Sequence, residues 1–160
     1  MSNNIIIREA TKDDVPVILK FIKELAEYEK LLHEVVATEE ILLETMFAPN
    51  SHAKAIIGYV DAEPVCFAIY FYNFSTFLGR SGIYIEDLYV KPEFRGFGLG
   101  KKLLSYLAKI CVESNYPRLQ WWVLNWNEDA INFYKRIGAQ PMDEWTVFRV
   151  TGPELEILAR

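Results

Sequence analysis

Arg95, Gly96, Gly98 and Gly100 stand in the run RGFGLG, which follows an apolar strand-like stretch and precedes an amphipathic helical one. A strand that empties through a glycine-rich loop into a helix start aims several backbone N–H groups at one spot. There the helix dipole and the orphan donors of the first turn favour an anion, typically a phosphate. Glycines let a ligand approach the backbone closely and permit positive φ. A Walker A loop needs four residues between its first glycine and Gly-Lys-Ser/Thr. Only three residues separate Gly96 from Gly100, and Lys101-Lys102 lacks the magnesium-binding hydroxyl. The dinucleotide fingerprint G-x-G-x-x-G fails as well, because the spacing here is G-x-G-x-G. A structural turn without ligand is the competing reading. Three alternating glycines weaken a helix start unless something must approach it, which favours a phosphorylated ligand.

Glu86 and Asp87 interrupt the apolar run that leads into this loop. Neighbours on a strand face opposite ways, and a carboxylate inside a central strand is costly unless it is paired or sits in a wet cleft. Asp87 reads as the partner of a structural salt bridge, Glu86 as the functional member of the pair. Further on, WNEDAINFYKRIGA places Ala130, Phe133, Tyr134 and Ile137 on one helical face. By periodicity alone, Tyr134 is a core tyrosine with a bonded hydroxyl. Cys66 and Cys111 lie among apolar residues and read as free thiols of a reducing cytosol. His33 and His52 stand alone, so no metal centre is expected.

The elements that must position these groups form one domain, residues 1–160, with enough apolar chain for a sizeable core: 51% of residues are hydrophobic and 24% charged. The net charge of −5 argues against a nucleic-acid partner and for a cationic substrate. The longest apolar run, residues 65–72, is too short to span a bilayer, and the start MSNNIIIRE lacks the features of a signal peptide. A cytoplasmic protein with no membrane partner is the expectation. Periodicity predicts strands at 4–8, 53–60, 65–74, 81–90, 119–124 and 146–150. It predicts helices from a Thr11 cap to about Tyr28, from Thr38 to Met46, after the glycine loop, and over 128–137 with Gly138 as the C-cap. The order is β-α-α-β-β-β-α-β-α-β. Hairpin-length connections make the early strands antiparallel, and the later helix demands a parallel crossover.

R-x-x-G-x-G after an acidic strand resembles the acetyl-CoA loop of the GNAT N-acetyltransferase superfamily. N-x-x-[SA]-x-x-F-Y-x-x-x-G-[AF], met here from 127 to 139, is a second hallmark of that superfamily. IYIEDLYV, RGFGLGKKLL and WNEDAINFYKRIGA, with IKELAEYEKL near the start, resemble the spermidine/spermine (diamine) acetyltransferases and their thialysine-acetylating relatives over nearly the whole chain. The resemblance implies an α/β GNAT fold: a mixed, mostly antiparallel sheet of about six to seven strands flanked by helices. It also implies a direct transfer of acetyl from acetyl-CoA to a primary amine, with no metal.

Carried over by position, Leu88, Tyr89 and Val90 would present backbone groups to the acetyl and pantetheine portions. Arg95, Gly96, Phe97, Gly98, Leu99, Gly100 and Lys101 would hold the pyrophosphate, and Asn127, Glu128, Asp129 and Ala130 would touch the pantetheine arm. Tyr134 would protonate the departing thiolate. Tyr28, Glu29 and Glu86 would face the amine, with Gln120, Trp121 and Trp122 lining its site. Glu86 would serve as base or as substrate contact. Alternation along a strand puts one of the two tryptophans on each sheet face, so at least one is plain core. A polyamine acceptor is the main expectation and a lysine-like amino acid such as thialysine the alternative. A sensor that keeps acetyl-CoA without turnover is a different class, and a small phosphotransferase lacks its lysine-serine pair. Relatives imply a homodimer, with the segment 147–158 pairing between subunits.

Overall fold

Strands Ile5–Glu9 (β1), Lys54–Val60 (β2), Glu63–Ser75 (β3), Arg80–Val90 (β4) and Leu119–Trp121 (β5) pair in that order into one sheet. They are seen in a computed structural model that describes residues 4–160; the leaderless reading of the N-terminus rests in part on residues 1–3, outside that range. The ladders from β1 to β4 are antiparallel, and β4 and β5 run parallel. The helices are Val15–Tyr28 (α1), Glu39–Met46 (α2), Leu99–Glu113 (α3), Glu128–Arg136 (α4) and Gly152–Leu158 (α5). The mixed, mostly antiparallel sheet is therefore as expected, but it has five strands among the described residues rather than six to seven.

The missing strand is the one predicted at 146–150. That segment forms no strand, all five of its residues are exposed, and α5 follows it. Its alternating Val147, Phe148 and Val150 carry strand propensity. Propensity describes how a residue fits a pleated, half-buried surface, and does not by itself supply a paired neighbour. β5 is also shorter than the predicted 119–124, ending at Trp121.

The chain divides into two units, Met1–Trp122 and Val123–Arg160. In the first, Thr11 starts a single 3-10 turn, Lys12–Asp14, and α1 follows from Val15, later than the Thr11 cap expected from the sequence. The Asp14 carboxylate accepts from the Thr11 N–H at 2.7 Å, and Pro16 fills the first turn. Arg8 of β1 donates twice to the same carboxylate, at 2.8 and 2.9 Å. That guanidinium holds the Asp14 carboxyl down at about 2. Thr38 caps α2 by accepting from Ile41 N–H at 3.2 Å.

Phe21 of α1, Phe67 of β3 and Tyr89 of β4 meet ring to ring, with centroids 5.4, 5.6 and 6.3 Å apart. Val15, Ile18, Leu42, Met46, Ala55, Ile57 and Ile69 complete this core layer. α3 packs on the sheet as well, burying Leu99, Leu103, Leu107 and Cys111.

The ladder between β3 and β4 has one irregularity. Ile69 pairs with Asp87, but the next residue, Tyr70, pairs with Ile85. Glu86 is thus the extra residue of a β-bulge. Strict alternation would put Ile85, Asp87 and Tyr89 on one face. The bulge instead leaves Ile85 on one side and turns Asp87 and Tyr89 to the side where α1 lies. Before the bulge it is Tyr84 that shares this side, its ring 5.0 Å from that of Phe71.

In the second unit α4 is capped at both ends. Asn127 Oδ1 accepts from Ala130 N–H at 3.3 Å. Gly138, at φ +94°, closes the C-terminus, with Ala139 N–H donating to Tyr134 C=O and Gly138 N–H to Lys135 C=O.

Because Phe21 is 1% exposed and central to the layer behind β4, Phe21→Ala should lower unfolding free energy by about 3–5 kcal/mol. Urea denaturation checks this; a loss below about 1 kcal/mol would mean that β4 is held from elsewhere.

Candidate active site

The loop between β4 and α3 has the geometry that its glycines suggest. Gly96 and Gly98 both adopt positive φ, +85° and +80°, and Gly98 is the N-cap of α3. A side chain added at either would meet nothing within 4 Å. Backbone conformation, not crowding, selects glycine here, and the space above the loop is open to a ligand. Buried Leu99 anchors the first turn, while Phe97 stands 73% exposed beside it. The first-turn N–H groups of a fifteen-residue helix, Gly100 and Lys101 among them, are donors of the kind that an anion takes at a helix start. These donors fit a pyrophosphate.

One backbone edge of β4 is open next to the loop. β5 pairs only with Ile83, Tyr84 and Ile85. Past the bulge, Leu88, Tyr89 and Val90 have no β5 partner, so an extended ligand arm could lie along them.

On the α1 side the bulge gathers carboxylates. Asp87 is half-buried, and its carboxyl is pushed up to about 7, first by burial and then by the negative charges of Glu86 and Glu29. Burial also raises Glu29, at the end of α1. The salt bridge expected for Asp87 is not formed among the described residues; like charges face it instead. Glu86 itself is exposed at the bulge. Asp87 is the functional candidate that sequence reasoning passed over. Its signal was the Glu-Asp pair itself, since a strand must turn one of two adjacent acids inward.

Tyr28 ends α1, and the Arg95 guanidinium lies over its ring at 4.7 Å and over that of Tyr89 at 5.8 Å. Arg95 Nε donates to Val90 C=O at 2.9 Å, and the Tyr89 hydroxyl donates to Glu24 at 2.7 Å. Gln120 sits opposite Tyr84 and accepts from Asn73 Nδ2 at 3.0 Å. The Trp122 ring meets Tyr84 edge-on at 5.7 Å. Alternation then sends Trp121, opposite Ile85, to the other face. The first unit thus brings Tyr28, Glu29, Glu86 and Asp87 to one end of the α1 side, with Gln120 and Trp122 further along that face. Trp121 is separated from them.

In the second unit Asn127, Glu128, Asp129 and Ala130 form the start of α4, where acidic side chains complement the helix dipole. Tyr134 is half-buried in that helix, its ring 5.5 Å from Phe133. Among the described residues no group of three or more His, Cys, Asp or Glu is arranged to hold a metal ion. No described helix is long and apolar enough to cross a membrane.

The pattern of the acetyltransferase (GNAT) family matches residues 20–139, and the chain belongs to that family of N-acetyltransferases. It is similar to thialysine N-epsilon-acetyltransferase of Bos taurus, 37% identical with 97% of each chain covered. It is also similar to L-ornithine N5-acetyltransferase of Arabidopsis thaliana, 30% identical over 95% of this chain and 86% of that one. Among solved structures, an integron cassette protein from the mobile metagenome of V. cholerae superposes with a TM-score of 0.82, at 29% identity and 98% coverage of both chains.

The raised Asp87 carboxyl has a signed consequence. A group whose folded value, about 7, exceeds its ordinary 3.8 binds a proton more tightly in the folded state, so stability falls as pH rises between those values. Asp87→Asn, which copies the protonated form, should raise the melting temperature at pH 8 and leave it nearly unchanged at pH 4. Thermal melts at the two pH values check this; equal differences at both would reject the raised carboxyl.

Proposed function

We propose that residues 1–160 act as one N-acetyltransferase domain that moves the acetyl group of acetyl-CoA to the terminal amine of a lysine-like diamino acid such as thialysine, in a ternary complex. The observation that carries this reading is the group of Glu29, Glu86 and Asp87 at the bulge of the strand that feeds the glycine loop. A cation-seeking pocket end and an anion-seeking helix start then share one strand. The names of the relatives, which specify side-chain amines of amino acids, favour this acceptor over the polyamine expected from the sequence.

An alkyl ammonium has a pKa near ~10 and must lose a proton before its nitrogen can attack. Glu29 and Glu86 draw the cation in, and Asp87, held near neutrality, takes the proton. Bound acetyl-CoA would supply an acetyl group activated as a thioester. Gly96 to Lys101 hold the pyrophosphate through backbone N–H groups, and the backbone of Leu88, Tyr89 and Val90 aligns the arm that follows it. Asn127, Glu128, Asp129 and Ala130 are assigned to the same arm. Tyr134 keeps a proton on its hydroxyl for the departing sulfur. Tyr28, Gln120 and Trp122 line the acceptor side, and the strand register argues against Trp121 there. The same reading carries the homodimer and the cytoplasmic setting expected from the sequence, in keeping with exposed Val147, Phe148, Ile157 and Leu158 and with buried free thiols at Cys66 and Cys111.

Thiol release from acetyl-CoA should be fastest with thialysine, lysine or ornithine and slower with putrescine or spermidine. The reverse order restores the polyamine acceptor, and acetyl-CoA binding without turnover on any amine makes the protein a sensor. Tyr134→Phe should cut kcat by about 10²–10⁴-fold while CoA affinity stays unchanged. A fully active variant would remove Tyr134 as proton donor.

A further inference from the structure

An arginine opening a phosphate-binding loop is expected to spend its charge on the phosphate. Arg95 is disposed otherwise. Its planar face covers Tyr28 and Tyr89, and its Nε is taken by Val90 C=O. Tyr89 is 4% exposed and pinned through its hydroxyl to Glu24. The strand end, the loop and the last turns of α1 are therefore joined by a stack of side chains. Beneath it lies a cavity of about 430 Å³, bounded by Lys20, Glu24 and Tyr28 on the helix and by Tyr89, Lys91 and Arg95 on the strand and loop. The Tyr89–Glu24 hydrogen bond and the Arg95–Tyr28 stack span that gap.

We propose that Arg95 is a positioning residue, whose guanidinium clamps the C-terminal end of α1 to the glycine loop and so couples what binds at the loop to what binds beside Tyr28 and Glu29. A lysine could offer charge to a phosphate but has no plane to lay on the two rings and no fixed fork for the Val90 carbonyl. Ordering of the loop by its ligand holds Arg95 in place, and Arg95 in turn holds Tyr28 and the neighbouring Glu29. By linkage the effect runs equally in both directions. The inference rests on the acetyl-CoA reading of the loop and assigns the arginine a role that the loop pattern alone does not.

The test uses the full chain and CoA as probe, with affinity measured by isothermal titration calorimetry. A cation–π contact at an exposed site corresponds to about two- to fivefold in an equilibrium constant. Tyr28→Leu and Arg95→Lys should each weaken CoA by that factor, and the double variant should be no weaker than either alone. Tyr28→Phe, which keeps the ring, should bind CoA as the unaltered protein does. Tyr28→Met serves in place of the leucine variant should that not fold. Unchanged CoA affinity in the variant that loses the Tyr28 ring overturns the clamp, and so does full affinity in Arg95→Lys, which would show that charge alone suffices. If the unaltered protein does not bind CoA, the acetyl-CoA reading fails first, and the two failures are thereby told apart.

Discussion

The structure turns on one extra residue in one ladder. Glu86 has no opposite number on β3, so the face rule of β4 changes at that point. Before it, the strand commits Ile83 and Ile85 to a buried layer and Tyr84 to the α1 side. After it, Asp87 and Tyr89 take the α1 side. Without the bulge Asp87 would share the face of Ile85, which is 2% exposed, among apolar neighbours and away from Glu29. The bulge also falls where β5 stops pairing, so the strand that turns its acids toward α1 exposes its backbone edge over the same residues. A single irregularity thus sets the half-buried Asp87 carboxyl beside main chain that β5 does not pair.

The rigid layer behind the bulge makes this tolerable. Phe21, Phe67 and Tyr89 interlock, and the hydroxyl of Tyr89 is bonded to Glu24, so the strand past the bulge cannot slide back into regular register without breaking aromatic packing. Tyr89 is the shared member of that packing, of the open edge and of the stack under Arg95. Burial and the nearby Glu24 push its phenol well above its usual range, so it stays a neutral donor throughout the physiological window. A residue named from the sequence for its backbone turns out to act as strongly through its side chain.

Most of the framework was legible because it rests on local signals. Thr38 as a cap, Gly138 as the helix stop and the apolar period of α1 are short-range chemistry, and each appears within a residue or so of its expected place, whereas Thr11 caps a 3-10 turn ahead of α1. The glycine loop was legible for the same reason, since positive φ at Gly96 and Gly98 is a property of the residue type. What sequence could not show depends on partners far along the chain. The bulge exists only in the register of two strands, so nothing in IYIEDLYV alone says that Glu86 is unpaired or that Asp87 turns inward. Strand propensity at 146–150 was real but had no ladder to join among the described residues. Trp121 and Trp122 read as an equal pair until β5 was set against β4, and then the Tyr84 contact went to one of them. The stack of Arg95 on Tyr28 and Tyr89 was not legible, because a loop pattern records where a side chain starts and not which rings it finds.

Two aspartates of this protein show why the acidic group should be read as a site and not as a defect. Asp14, met by both arms of Arg8 and by the Thr11 N–H, is held at about 2 and ties β1 to the start of α1. Asp87, also withdrawn from solvent, is raised by burial and by the charges of Glu86 and Glu29, to about 7. Arg8 and the Thr11 N–H stabilise the charged form of Asp14, and no such group is among the causes that set Asp87. A lysine or arginine beside Asp87 would offset that repulsion and return the carboxyl toward its ordinary range. Burial and the charges of Glu86 and Glu29 are met instead by a proton, which Asp87 holds more tightly than a free carboxyl does. Such a carboxyl changes its charge near neutral pH, which is the property that the proposed role as proton acceptor requires.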